Sequence, residues 1–174
     1  MSKMRPKLSY AIWLMPEGKL NEQLFSIIES FHRKYSSPVF KPHVTLAWPL
    51  LDSEENLIQK AQLLAKSMKS FNVTLYGISR RNEFFVSLFL NVRRYQQLMQ
   101  ARKRAVKTFN LNEEGYMPHM SLAYGNFKEE TKNTMEEEIE IHLPISFKVK
   151  RIHMVFNDEE NLKWKIIRSF EIRD

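Results

Sequence analysis

The chain contains no cysteine and only four glycines among its 174 residues. Without a thiol it can form no disulfide, no thiolate zinc site and no cysteine nucleophile. Any catalysis must therefore come from histidine, hydroxyl or carboxylate side chains, or from a bound metal. The glycines are too few for Gly-rich loops, so neither a phosphate-cradling P-loop nor a dinucleotide-binding fingerprint can be drawn through the chain.

Long apolar runs are also missing. No unbroken stretch reaches the roughly 18 residues that a bilayer crossing needs, and residues 1–6 lead into a strand-like segment without a cleavable apolar stretch. With 43% hydrophobic and 27% charged residues, the chain is long enough to bury one compact core. We expect a single domain over residues 1–174, soluble, cytoplasmic and monomeric, with no membrane partner.

The net charge is +7, which favours polyanionic partners such as nucleotides, RNA or phosphorylated metabolites. The cations are densest on one segment that has the pattern of a helix. Two interpretations of this segment are open, a solvated helix face, which is the commoner one, and a surface that attracts phosphate. Its members are Arg93, Arg94, Arg102, Lys103, Arg104 and Lys107.

Hydropathy periodicity predicts that a set of elements occurs twice. Each half has the order strand, helix, strand, helix, strand, and a hairpin partner follows. We interpret this as an internal duplication with pseudo-repeats at about 8–80 and 84–156, plus a C-terminal strand at 162–172. The predicted strands are Leu8–Leu14, Val44–Trp48, Phe71–Ile78, Phe84–Val92, Met120–Tyr124, Ile145–Phe156 and Leu162–Ile172. The first predicted helix follows a turn at residues 16–18, has its apolar positions at Leu24, Ile27, Ile28, Phe31 and Tyr35, and ends before residues 36–38; the others are one capped by Ser53, Tyr95–Phe109 and Glu129–Ile139.

The duplication is visible residue by residue in one block. FKPHVTLAW at 40–48 aligns with YMPHMSLAY at 116–124 at a constant offset of 76 residues. In a strand, residues two apart project from the same face, so one imidazole and one hydroxyl share a face in each copy. If a pseudo-two-fold axis relates the halves, both pairs can converge on one groove. The four residues are His43, Thr45, His119 and Ser121.

Two facing histidines suit the hydrolysis of a phosphodiester, because one can take a proton from the attacking water while the other gives one to the departing alkoxide. An ordinary imidazole has a pKa near roughly 6.5, so both protonation states are accessible. The hydroxyls can donate to the non-bridging phosphate oxygens as charge builds there. This chemistry needs neither metal nor cofactor. His32, His142 and His153 lack such a setting and are predicted to be structural or surface residues.

With this motif pair the sequence resembles the two-histidine (2H) phosphoesterase superfamily, and within it most resembles the cyclic phosphodiesterases of plants and yeast. The resemblance implies an α+β, bilobal and duplicated fold, in which two antiparallel-sheet lobes carry helices outside and enclose a central active-site groove. Plant members carry cysteines, some of them disulfide-bonded, so redox control of a lid is not expected here. The resemblance is carried by residues 10–16, 40–46, 83–85, 116–124 and Trp164.

The resemblance further implies the metal-independent opening of a small cyclic phosphate to a monophosphate. The family's substrates are nucleoside 2′,3′-cyclic phosphates and ADP-ribose 1″,2″-cyclic phosphate, a by-product of tRNA splicing. Carried over by motif, the catalytic residues are His43, Thr45, His119 and Ser121, and Tyr124 is a substrate contact.

Aromatic residues near the predicted groove form a second group. Tyr124, Trp164 and Phe84 or Phe85 could stack on a base or cover the sugar. Core packing is the competing interpretation, and it is the stronger one for the two phenylalanines.

Two other functions are compatible with the sequence. One is a related 2H activity on RNA, such as trimming 3′ ends, cleaving 2′,5′-linked oligoadenylate, or joining or cleaving 2′,5′ linkages. The other is a module that binds cyclic phosphates or RNA ends without turnover. The near symmetry of the two motifs does not distinguish the general acid from the general base.

Overall fold

The computed structural model describes residues 5–174, which form eight strands and four helices. The sequence interpretation of the first six residues falls partly on residues 1–4, which lie outside the described residues. The strands are β1 Leu8–Leu14, β2 Val44–Leu50, β3 Phe71–Arg80, β4 Leu88–Val92, β5 His119–Ala123, β6 Ile145–Val149, β7 Arg151–Asp158 and β8 Lys163–Glu171; the helices are α1 Gly18–Tyr35, α2 Glu54–Ser67, α3 Gln96–Phe109 and α4 Glu129–Glu137, with a 3₁₀ turn at Phe84–Val86.

The strands form two four-stranded antiparallel sheets. The first sheet has the order β2-β1-β7-β8 and the second has the order β5-β4-β3-β6. The predicted α+β class with two antiparallel sheets is thereby confirmed. Each sheet takes strands from both halves of the sequence, because β3 pairs with β4 while β7 pairs with β1. The two sheets are therefore not the two sequence halves.

Two predicted strands have different boundaries in the structure. The segment predicted as one strand over Ile145–Phe156 forms β6 and β7, which belong to different sheets. Two successive polar residues, Lys150 and Arg151, interrupt the alternation of apolar and polar positions at the point where the chain changes sheet. The strand predicted over Phe84–Val92 begins only at Leu88, because the chain first makes the 3₁₀ turn.

Local signals account well for the helices. The Ser53 side chain accepts a hydrogen bond from the amide of Asn56, which confirms the predicted N-cap of α2. The first helix begins at Gly18, the last residue of the predicted turn, and buries Leu24, Ile28 and Phe31 at helical spacing. Among the described residues, no helix is both long and apolar enough to cross a bilayer.

One continuous core joins the two sheets. Leu14 and Leu46 of the first sheet and Leu75 and Leu90 of the second are fully buried in the same cluster. Helix α3 packs on β2 and on β3, so it fixes the sheets to each other. The strands β2 and β5, which carry the two copies of the motif, lie in contact.

Candidate active site

The four motif residues come together in the structure. His43, Thr45, His119 and Ser121 all line one cavity of about 400 Å³ between the sheets. That volume is within the range of small-molecule binding sites. The structure thus places both imidazoles and both hydroxyls where the sequence predicts a groove, while their catalytic roles stay a prediction.

Both imidazoles are held in the same way by the backbone. The Nδ1 of His43 lies 2.7 Å from the carbonyl oxygen of Lys41, and the Nδ1 of His119 lies 2.9 Å from that of Met117. A carbonyl oxygen only accepts, so each Nδ1 carries a proton and donates it. This contact fixes the neutral tautomer and leaves Nε2 as the ring atom that can exchange a proton with a ligand or water.

The ring that supports each imidazole is also duplicated, but with a different geometry. Trp13 stacks on His43 with ring centroids 3.5 Å apart and planes 7° apart. Phe89 meets His119 edge-on, at 5.3 Å and 66°. Trp13 and Phe89 are separated by the same 76 residues as the motif. The two halves of the site are therefore similar in layout but not equivalent in environment.

Burial makes both imidazoles hard to protonate. Loss of hydration lowers the pKa of His43 to about 3. The hydrogen bond to the Lys41 carbonyl raises this pKa, but its effect is smaller than that of burial. The pKa of His119 is also lowered, first by burial and then by the positive charges of Arg5 and Arg81. At neutral pH both rings are neutral, and a bound phosphate anion would favour protonation of one of them.

We expect the free energy of unfolding to fall as the pH is lowered from 6.5 toward about 3, the window set by His43. A histidine with a lowered pKa in the folded state is protonated first in the unfolded chain, so acid stabilises the unfolded state; above this window both states are neutral and the effect is absent. Denaturant midpoints of the wild type and His43→Gln, measured from pH 7 to pH 4, test this. The variant should show the shallower decline, and equal slopes would contradict the assignment.

The two hydroxyls also differ in their surroundings. The Oγ of Ser121 donates to the carbonyl of Phe85 at 3.2 Å. Thr45 borders the cavity, and its carbonyl accepts the phenol of Tyr116 at 3.1 Å. The second copy of the motif is thus tied to the backbone of the first. To donate to a ligand, Ser121 has to turn its hydroxyl away from Phe85.

The predicted aromatic contacts are placed as follows. Tyr124 and Trp164 both line the cavity, with ring centroids 5.5 Å apart, and their contact with substrate stays a prediction. Phe84 does not line the cavity. Its ring packs against that of Phe85, and Phe85 does line the cavity. The cause is the 3₁₀ turn, in which successive side chains point about 120° apart, so that one of two neighbouring rings faces the groove.

The three other histidines lie away from the cavity. The Nδ1 of His32 bonds to the carbonyl of Ser37 at 2.8 Å, and the Nδ1 of His153 lies 2.7 Å from the Oγ of Ser169. His142 is exposed. These positions agree with the predicted structural or surface roles.

One cation of the basic segment is a groove residue that the sequence interpretation missed. Arg102 is only 6% exposed and lines the cavity, whereas the other five cations are exposed. Its guanidinium donates to the carbonyls of Leu46 and Asn112, at 2.8 and 3.2 Å, and lies over the ring of Tyr116. The sequence did indicate that Arg102 lies on the buried face of α3, because it is four residues after the apolar Leu98 and positions four apart share one face of a helix.

The cavity does not offer a cluster of metal ligands. Within residues 5–174, no group of three or more histidine, cysteine, aspartate or glutamate side chains is placed to hold a metal ion.

Comparisons with known proteins agree with this architecture. A cyclic phosphodiesterase of Arabidopsis thaliana is 25% identical over 157 residues, covering 87% of each chain. The crystal structure of E. coli LigT complexed with 3′-AMP superimposes with a TM-score of 0.63 at 14% identity, over 97% of this chain and 100% of that one. That of TT0787 from Thermus thermophilus does so with a TM-score of 0.63 at 12% identity, over 95% and 98%. At these identities the solved structures show a shared fold.

The family assignment rests on the sequence as a whole. The family model of the 2′-5′ RNA ligase superfamily matches residues 17–161, which include both copies of the motif and most of the chain. The chain belongs to the 2′-5′ RNA ligase superfamily, which is the two-histidine phosphoesterase family that its duplicated motif resembles.

Proposed function

We propose that this phosphoesterase is a metal-independent cyclic phosphodiesterase, which opens a nucleoside 2′,3′-cyclic phosphate or ADP-ribose 1″,2″-cyclic phosphate to a monophosphate. The observation that carries the proposal is the meeting of two backbone-held imidazoles and two hydroxyls in one cavity. The similarity to the Arabidopsis cyclic phosphodiesterase supports a cyclic phosphate as substrate.

The reaction needs one neutral and one protonated imidazole. The neutral ring takes a proton from water through Nε2, and the water oxygen bonds to phosphorus. The bond from phosphorus to one ribose oxygen breaks, and the protonated ring gives its proton to that oxygen. His43 fits the base, because its burial disfavours the charged form. His119, which is less buried, fits the acid.

The hydroxyls act on the charge that develops during the reaction. As water adds, negative charge accumulates on the non-bridging oxygens, and donors already in position stabilise it. Thr45 and Ser121 would supply one donor each, from opposite sheets. Their positions two residues after the histidines keep each donor on the same strand face as its proton-transfer group.

Turnover should survive an excess of chelator, because the proposed proton transfers and hydroxyl contacts involve only side chains of this chain. The measurement is the rate of 2′,3′-cyclic AMP hydrolysis before and after long incubation with EDTA. A zinc-dependent phosphodiesterase treated in parallel is the control and should lose its activity. Loss of turnover in this protein, restored by a divalent ion, would overturn the mechanism.

A second candidate is activity on RNA ends or 2′,5′-linked oligonucleotides. It is favoured by the exposed cations of α3 and of the loop before it, since Arg94 donates to the carbonyl of the groove residue Tyr116 at 3.2 Å. Such cations attract a phosphate backbone in a salt-dependent way. Parallel incubation with 2′,3′-cyclic AMP, ADP-ribose cyclic phosphate and 2′,5′-linked triadenylate would separate the two. Binding of any of them without turnover would favour the non-catalytic module.

A further inference from the structure

Arg5 lies between aromatic rings that belong to the two sides of the groove. Its guanidinium carbon is 4.6 Å from the ring centroid of Trp48 on β2 and 4.4 Å from that of Phe85, in the 3₁₀ turn before β4. Both distances are within the range of cation–π contacts. A planar cation from outside the duplicated motif therefore lies between one ring of β2 and one ring of the 3₁₀ turn, and it lines the same cavity as His43 and His119.

A carboxylate fixes the orientation of this cation. The Nη1 of Arg5 donates to the Oε1 of Glu159 at 3.0 Å, and the Glu159 side chain is only 9% exposed. Burial raises the pKa of Glu159, while the positive charge of Arg5 acts in the opposite direction. The two rings and the carboxylate thus hold the guanidinium in place at the edge of the cavity.

The two guanidinium groups of the cavity are used differently. Arg102 is buried, and both of its terminal nitrogens donate to backbone carbonyls. In Arg5, one terminal nitrogen donates to Glu159, and 41% of the side chain is exposed. A guanidinium has five N–H donors, so Arg5 keeps donors for a ligand. Its charge also reaches the reacting groups, since it lowers the pKa of His119.

We propose that Arg5 is a substrate-binding residue, whose guanidinium donates to non-bridging oxygens of the phosphate in the groove. The inference rests on the proposed function, because it takes the substrate to be a phosphate ester. Thr45 and Ser121 supply neutral donors, whereas a phosphodiester carries a negative charge and the monoester product carries up to two. Arg5 supplies the matching positive charge, and Trp48, Phe85 and Glu159 are its positioning residues.

Arg5→Gln should weaken the binding of phosphate esters by about 10- to 100-fold, the range for a charge-assisted hydrogen bond. The measurements are the KM for 2′,3′-cyclic AMP and, without turnover, the Kd for 3′-AMP by calorimetry, and kcat should fall less than KM rises. Arg5→Lys should recover only part of the affinity, because lysine keeps the charge but loses the planar stack and the fork of donors.

Lys7→Gln is the matched control. Lys7 lies two residues away, its replacement removes the same charge, and it has an equivalent ion pair, to Glu160 at 2.9 Å. It is 75% exposed and is not among the cavity-lining residues. Its loss should leave both KM and Kd unchanged, whereas a general effect of net charge would weaken binding equally in both variants.

The double variant Arg5→Gln/Glu159→Gln separates two causes of weaker binding. Arg5→Gln alone leaves the Glu159 carboxylate without its partner beside the phosphate, where it could repel the ligand. If the lost cation is the cause, the double variant binds 3′-AMP as weakly as Arg5→Gln does. Recovery of wild-type affinity in the double variant would overturn the proposal.

The same measurements keep this proposal distinct from the proposed function. A wild type that binds 3′-AMP but turns over no cyclic phosphate contradicts the proposed function, and the Kd values still decide the role of Arg5. A wild type that turns over 2′,3′-cyclic AMP while Arg5→Gln binds 3′-AMP with unchanged affinity contradicts the role of Arg5 alone. Thermal melts of each variant establish that the Kd is measured on folded protein.

Discussion

Replacing either His43 or His119 by alanine should lower kcat by about 10²- to 10⁴-fold, the range for a positioned general acid or base. The double replacement should cost much less than the product of the single losses, because the two rings act in one proton-transfer scheme and such residues are strongly non-additive. The test is the kcat of the three variants with 2′,3′-cyclic AMP. Glutamine replacements repeat it with less change in packing, since His43 stacks on Trp13.

The pH dependence should identify the two roles. The wild-type profile of kcat/KM should be bell-shaped, because one ring must be neutral and the other protonated at the same moment. Its alkaline limb should lie below pH 6.5, since kcat/KM reports the free enzyme and burial lowers the pKa of His119. The alkaline limb of kcat should lie higher, because bound phosphate favours the imidazolium. His43→Gln should lose the acidic limb and His119→Gln the alkaline one.

An unchanged bell would contradict this mechanism. If His43→Ala kept near-normal turnover with both limbs, a two-histidine reaction would be wrong for this chain, and a single-histidine enzyme would take its place. If the limbs disappeared in the opposite order, the two-histidine mechanism would stand, with His119 as the base and His43 as the acid.

The positions of the motif residues were predictable because they depend on local properties. Alternation along a strand fixes that His43 and Thr45 share a face, and the repeat of the block at residues 116–124 indicates that this face serves something besides packing. Only the convergence of the two faces required the structure. Contact between β2 and β5 supplies it, and that contact depends on how the two sheets pack.

The exchange of strands between sheets was not predictable in the same way. The sequence of β3 alternates like that of any half-buried strand, and nothing within it specifies a partner. It pairs with β4 and β6, while β7 pairs with β1 across more than half of the chain. Such pairings depend on the packing of the whole core. A sequence pattern therefore predicts that a segment forms a strand, but it does not predict which sheet the strand joins.

Arg5 shows the same limit at the site. Its role depends on contacts with Trp48, Phe85 and Glu159, which are distant from it in sequence. One signal was present, since Arg5 and Arg81 are separated by the same 76 residues as the two motifs. This spacing does not predict a groove residue, because Arg81 pairs with Glu83 and is not among the cavity-lining residues.

Thr45→Ala should lower kcat by about 10²-fold, as expected when one oxyanion-type donor is removed, while Thr45→Ser, which keeps the hydroxyl, should be mild. Thr45→Val keeps the shape without the donor, so it should be as slow as Thr45→Ala. None of these changes removes the carbonyl that accepts the Tyr116 phenol. The measurement is kcat with 2′,3′-cyclic AMP, with thermal melts to establish that stability is retained.

Ser121→Ala should lower kcat by a similar factor but should also reduce stability, because it removes the donor to the Phe85 carbonyl. A lost hydrogen bond of this kind costs about 1 kcal/mol, which a shift in the thermal midpoint would report. We expect the Thr45 variants to lose activity but not stability, and Ser121→Ala to lose activity and stability. If Thr45→Ala and Thr45→Val turned over at the wild-type rate, the phosphate would be held without that hydroxyl, and its role as a transition-state donor would be wrong.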